Sequence, residues 1–105
     1  MRDQETIERE AAKLAEIGGV RWTKNGMDRV YFNSLAERIG FDFRTYTLRG
    51  EKVSRREVGR ILGVLSSTKI YYDLNTGRLC DNGVSGSYAG EAYDATLAEV
   101  KEALK

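Results

Sequence analysis

Basic and aromatic side chains are interleaved along this chain in a pattern that favours contact over catalysis. Arg29 lies two positions before Tyr31, and Arg44 two before Tyr46. Residues two apart on a strand share a face, so each pair would set a cation beside a ring. Such a surface can stack bases and neutralise phosphates. It equally suits a protein–protein hot spot, where Tyr, Trp and Arg are favoured, and the same residues also make ordinary half-exposed sheet positions. Residues 44–60 concentrate charge: Arg44, Arg49, Lys52, Arg55, Arg56 and Arg60 stand against two glutamates. Within that stretch Arg56, Gly59, Arg60 and Gly63 fall on one side of a helix. Each helix-interior glycine costs about 1 kcal/mol relative to alanine. Two of them call for a cause, which is either a partner's backbone or phosphate chain in close approach, or tight packing inside this domain.

The groups that usually run enzymes are scarce. The chain has no histidine, which removes the usual general base and the commonest transition-metal ligand. Cys80 is alone, so no intrachain disulfide or thiolate zinc site can form, and it reads as a small core residue. Asp73-Leu74-Asn75-Thr76-Gly77 imitates the start of a calcium loop. The twelfth position of that loop must be a bidentate Glu, and here it is Val84, so a hairpin turn is expected instead. The run from Gly83 to Gly90 could wrap a phosphate but lacks the Lys-Ser/Thr ending of a P-loop, and it reads as a mobile connector. Ser85 and Ser87 have no activating base nearby in sequence. Asp73 and Asp81 could do acid–base work without histidine, but they show no recognisable spacing. The expectation is a protein without enzymatic activity, metal or cofactor.

The elements that must position these residues can be read from apolar periodicity and turn chemistry. Residues 3–17 read as a helix with Ile7, Ala11, Leu14, Ala15 and Ile17 on one side, stopped by Gly18-Gly19. A β-hairpin follows, turning at Asn25-Gly26. An odd-length loop would put Val20, Trp22, Val30 and Phe32 on one face, leaving Arg21, Thr23, Arg29 and Tyr31 on the other. A two-residue Asn25-Gly26 loop would set Trp22 opposite Arg29 and reverse that division. Burial of the apolar set predicts the odd loop, with Trp22 inward. Ser34-x-x-Glu37 reads as the capping box of a short second helix that ends at Gly40. Residues 42–49 read as a strand, and Gly50-Glu51-Lys52 as a turn. Ser54-x-x-Glu57 opens a third helix with a core stripe of Val58, Ile61, Leu62 and Leu65.

A second hairpin spans Lys69–Leu74 and Arg78–Cys80, with Gly77 at positive φ. The last helix carries Tyr93, Leu97, Val100 and Leu104 at core spacing, with Thr96-x-x-Glu99 as a candidate cap. Tyr93 and one of Tyr71 and Tyr72 are expected to pack inward. Tyr31, Tyr46 and the other member of that pair should share an exposed face with Arg21, Arg29 and Arg44. The predicted order is α-ββ-α-β-α-ββ-α. It describes one α+β domain over 1–105: a mostly antiparallel sheet of two hairpins plus one strand, with about four helices packed on it.

Hydrophobic residues make up 41% of the chain and charged ones 31%, which fits a folded domain and excludes intrinsic disorder. Net charge is +1, so electrostatic specificity must come from local patches. No apolar run approaches the ~20 residues of a membrane span, and Met-Arg-Asp-Gln-Glu does not read as a signal peptide. A cytoplasmic protein with no membrane partner is expected.

The stretch Ile17–Asn33, with Gly18-Gly19, Trp22-x-Lys24, Gly26 and Asp28-Arg29-x-Tyr31-Phe32-Asn33, resembles small proteins carried by bacteriophages and mobile elements. Among those, the anti-CRISPR inhibitors share this size and compact α+β build. The resemblance implies an inhibitor that docks on a bacterial protein or nucleoprotein complex in the host cytoplasm, and it transfers no functional residue. Combined with the composition, it predicts a non-enzymatic binding protein acting through Arg21, Arg29, Tyr31 and the basic 44–60 segment. The alternative is a module that binds DNA or RNA directly through the 44–60 arginines. A small carboxylate-based enzyme is third.

Overall fold

The computed structural model describes residues 2–83 and 86–105. Helix α1 (Gln4–Ala15) starts at Asp3, whose side chain accepts from the Thr6 backbone N–H at 2.7 Å, satisfying one of the orphan donors of a helix start. It leads into the hairpin β1 (Gly19–Lys24) and β2 (Met27–Phe32). Next come the short α2 (Leu35–Arg38) and three two-residue strands, β3 (Phe41–Asp42), β4 (Thr47–Leu48) and β5 (Glu51–Lys52). Helix α3 (Arg55–Ser67), the hairpin β6 (Ile70–Asp73) and β7 (Arg78–Asp81), and helix α4 (Ser87–Ala103) complete the chain. The result is an α+β fold with a four-stranded sheet ordered β1-β2-β6-β7 and a three-stranded sheet ordered β3-β4-β5. Every pairing is antiparallel. The single strand expected over 42–49 is thus resolved into a small meander, because Tyr46 (φ 53°), Arg49 (φ 51°) and Gly50 (φ 84°) turn the backbone twice.

The register of the first hairpin sets the fold. Asn25 and Gly26 are both at positive φ, 52° and 82°, as a two-residue type I′ turn requires. Lys24 therefore pairs with Met27, Trp22 with Arg29, and Arg21 with Val30. The odd loop expected from burial does not form. Val30 and Phe32 are buried, whereas Val20 and Trp22 are exposed. Turn chemistry outweighs apolar alternation here because β1 is an edge strand with almost no core to fill. At Gly19 an added Cβ would lie 2.4 Å from Val30 Cγ1 and 2.8 Å from the Leu14 carbonyl oxygen. The α1 backbone presses directly on the sheet there, and only a glycine admits it.

Helices cover one face of the larger sheet. Val30, Phe32, Ile70 and Tyr72 point into a core filled by Ile7, Ala11 and Leu14 of α1, Ile61 and Leu65 of α3, and Ala92 and Val100 of α4. Arg38 staples the layers together. It donates to the Ile17 carbonyl at 2.8 Å, to the Asn33 carbonyl, and to Glu99 of α4 at 2.6 Å. The two hairpin turns are tied by Asn75, whose side-chain amide donates to the Gly26 carbonyl at 3.0 Å, and Gly77 takes the expected positive φ of 73°.

Several local expectations are corrected. Ser34 sits at φ 59° and makes no side-chain cap, so Ser34-x-x-Glu37 is not a capping box. Ser54 does cap α3, accepting from the Glu57 N–H at 3.1 Å. Helix α4 begins at Ser87, so Ser87–Gly90 form its first turn rather than a connector. Thr96, far from a cap, is buried mid-helix and donates to the Ala92 carbonyl at 2.7 Å. Leu62, expected in the core stripe of α3, is exposed. Val84 and Ser85, invoked above for the calcium and phosphate comparisons, lie outside the described residues.

Two glycines give a paired test of this packing. Gly19→Ala should destabilise the protein by about 1–3 kcal/mol, the usual cost of overpacking a filled site. Gly59→Ala, with open space where its Cβ would go, should stabilise it by about 0.5–1 kcal/mol through helix propensity. Urea denaturation of the two variants checks both signs.

Candidate functional site: the uncovered sheet face

Because the helices occupy one side, the other side of the four-stranded sheet is bare. Strand alternation assembles two cross-strand rows on it. One row runs Val20–Tyr31–Tyr71–Cys80, and the next runs Trp22–Arg29–Asp73–Arg78. The rings are ordered against one another: Tyr31 and Tyr71 have centroids 5.4 Å apart, and Trp22 meets Tyr31 edge-on at 6.2 Å. Such contacts contribute about 0.5–1.5 kcal/mol beyond area burial. The Arg29 guanidinium lies 4.3 Å from the Tyr71 ring centroid and donates to the Tyr31 hydroxyl at 3.2 Å. The Tyr31 hydrogen bond holds Arg29 above the ordinary arginine value, and burial pushes the Tyr71 phenol up. Both groups keep their charge states throughout the physiological range.

This face forms the floor of an open groove of about 830 Å³, walled by Phe43 of the β3–β4 turn and by Leu62 and Leu65 of α3. Trp22, Phe43 and Leu62 are among the large apolar side chains left exposed by the fold, and all three border it. Lys69 lines its end next to Asn33 and Asn82. The groove therefore offers aromatic walls with cations at their margin and no histidine or cysteine pair to perform chemistry.

The residues singled out from the sequence divide into three groups. Arg29 and Tyr31 sit together on the sheet face, joined by Trp22 and Tyr71. Of these, Trp22 was expected inward, while Tyr71 is the member of the Tyr71/Tyr72 pair on this face; Tyr71 and Tyr93 are half-buried and Tyr72 is buried. Arg21 is not on this face. Pairing with Val30 turns it to the helix side, where it chelates Asp28 at 2.8 and 2.9 Å and Glu8 at 2.7 and 2.8 Å. Those carboxylates raise Arg21, and it in turn lowers Asp28 and Glu8. Arg49 is likewise engaged, donating to the Ile39 carbonyl and to Glu91 of α4, both at 3.1 Å.

The remaining group is dispersed. Arg44 lies in the β3–β4 turn with its side chain 93% exposed, and Tyr46 lies in the same turn against Phe41 rather than on the large sheet. Lys52, Arg55, Arg56 and Arg60 are exposed on β5 and α3, with Arg60 3.8 Å from Glu57. Gly59 and Gly63 have nothing within 4 Å of an added Cβ, so packing against another part of this chain does not account for them.

The carboxylates proposed for other chemistry are occupied locally. Asp73 accepts from the Asn75 N–H at 2.9 Å and Asp81 from the Gly83 N–H at 2.8 Å; both are turn-forming contacts. Among the described residues no group of three or more His, Cys, Asp or Glu side chains is placed to hold a metal ion, and no helix is long and apolar enough to cross a membrane. Comparison with protein-family models, curated proteins and solved structures finds no match.

The Arg21 cluster predicts an acid-dependent term in stability. Asp28 titrates below its usual 3.8 because of Arg21, so its stabilising contribution is complete above that value and is lost as pH falls through the lowered folded one. Asp28→Asn should therefore be less stable than the parent at pH 7. The gap should begin to shrink as pH falls below the usual 3.8 and close only below the lowered folded value, where the folded parent's carboxylate is protonated as well. Thermal melts of both proteins across that range measure it.

Proposed function

We propose that this protein is a non-enzymatic binding protein whose working surface is the bare sheet face. The resemblance of Ile17–Asn33 to phage and mobile-element proteins points to an inhibitor of the anti-CRISPR type. Such an inhibitor would act in the bacterial cytoplasm by occupying a surface on a protein or nucleoprotein complex. The observation that carries the surface assignment is the Trp22–Arg29–Tyr31–Tyr71 cluster, four interlocked side chains of hot-spot type along an open groove, with Trp22 exposed and the other three half-buried. Aromatic and arginine anchors in a shaped, partly desolvated setting carry most of the energy of typical protein contacts. Blocking a partner needs a rigid complementary surface and no reactive group, in keeping with the side chains available.

Binding of DNA or RNA through the 44–60 arginines is the second reading. It draws on Arg56 and Arg60 flanking the open Gly59 and Gly63 on α3. Its weakness is dispersal, since Arg49 is tied to α4 and Arg44 stands at a turn of the smaller sheet.

Affinity capture from bacterial lysate, with and without nuclease, separates the two. Trp22→Ala should leave the melting temperature within a few degrees of the parent, because an exposed side chain contributes little to the core. It should reduce capture at least tenfold, the scale expected for a hot-spot truncation of more than about 1.4 kcal/mol. Capture that survives Trp22→Ala and is lost with Arg56→Glu plus Arg60→Glu would move the surface to α3.

A further inference from the structure

We infer that the occupant of the groove is single-stranded nucleic acid, held with its bases against the Trp22 and Tyr31 rings and its phosphates along the flanking cations. This rests on the reading of the sheet face as the binding surface and names what that surface takes. The first argument is the arrangement of the rows. The Tyr31–Tyr71 row runs between two polar margins, with Lys24, Arg29 and Arg78 on one side and Lys69 on the other. At a strand spacing of about 4.8 Å, the face measures roughly 14 Å from β1 to β7, room for two bases seated side by side on adjacent rings.

Charge gives the second argument. The face and groove carry four cations, Lys24, Arg29, Lys69 and Arg78, against two carboxylates, Asp73 and Asp81, in a chain whose total is +1. Both carboxylates have an oxygen committed to a backbone N–H of their own turn. The excess of positive charge on a face lined with rings is the combination that binds single strands with little sequence preference. A duplex hides its base faces in the stack and offers these rings nothing. An acidic peptide would satisfy the cations but leave Trp22 and Tyr31 without planar partners.

Trp22 is the chain's only tryptophan, so its fluorescence reports directly on the groove. Titrating the full chain with a 20-nucleotide oligodeoxythymidine at low salt should quench Trp22 emission, and anisotropy of the labelled strand should give the same affinity. With three to four phosphates neutralised, log K against log salt should have a slope of about −2 to −3, a fall of roughly 15- to 65-fold between 50 and 200 mM salt. Tyr31→Leu should weaken binding at least tenfold, and Arg29→Gln should weaken it and flatten the salt slope by about 0.7. Should Tyr31→Leu not fold, the quenching in the parent and the Arg29→Gln slope decide the matter. Arg56→Glu plus Arg60→Glu should bind the strand as the parent does.

No quenching and no anisotropy change at low salt would overturn the inference. Tighter binding of a duplex or of polyglutamate than of the single strand would do the same. If nuclease-resistant capture from lysate is lost with Trp22→Ala while the oligonucleotide does not bind, the sheet face remains the docking surface and only the nucleic-acid occupant fails.

Discussion

The two-residue turn at Asn25–Gly26 governs the architecture. Because side chains alternate with a period of two, the turn's parity decides which half of the hairpin meets the helices. With Asn25 and Gly26 both at positive φ, Val30 and Phe32 go inward, and Trp22, Arg29 and Tyr31 go outward as a set. A loop one residue longer would bury Trp22 and break up the cation–ring cluster. The core and the candidate site are therefore two consequences of a single local conformation.

That conformation is supported from the helix side. With Trp22 outside, β1 presents Gly19, Arg21 and Thr23 to the helices, a set with little to bury. The chain compensates by bringing the α1 backbone onto Gly19 and by closing the exposed end with the Arg21–Asp28–Glu8 cluster. Bidentate guanidinium–carboxylate geometry on two carboxylates gives direction as well as energy. Arg38 of α2 closes the other end of the hairpin, bonding the Ile17 and Asn33 carbonyls just past α1 and β2 and the Glu99 carboxylate of α4 through one side chain packed near the Phe32 ring. Arginines that sequence reading assigns to a contact surface can thus be structural clamps, and burial alone does not reveal which.

Most of the architecture was legible from periodicity and turn residues, namely the α+β class, both hairpins, the Ser54 cap and the Ile7, Ala11 and Leu14 stripe of α1, although Ala15 faces outward and Ile17 lies beyond the helix end. What failed did so where two local signals competed. At β1 the apolar alternation of Val20 and Trp22 argued for an inward face, and the Asn-Gly dipeptide argued for a type I′ turn. The turn won because β1 is an edge strand with little core to fill, so an inward Trp22 had little burial to gain. At 42–49 β-forming residues masked turns made by non-glycine residues at positive φ, Tyr46 and Arg49, which sequence does not flag. In the site, the Arg29–Tyr31 pairing was visible from spacing. Its extension to Tyr71 and Phe43 depends on strand order and on the α3 wall, both long-range facts.

The exposed rings have a physical consequence for binding. A face on which Trp22 is exposed and Tyr31 and Tyr71 are only half-buried forgoes part of the burial energy those side chains could have supplied, unless something returns it on association. In the free chain the loss is limited by Arg29, which covers Tyr71 and bridges to Tyr31. The same contacts hold the rings in place on adjacent strands, so little side-chain entropy remains to be lost when a partner arrives. A flexible aromatic loop of equal composition would bear that cost in full. The sheet thus supplies order in advance on the face proposed to dock a partner.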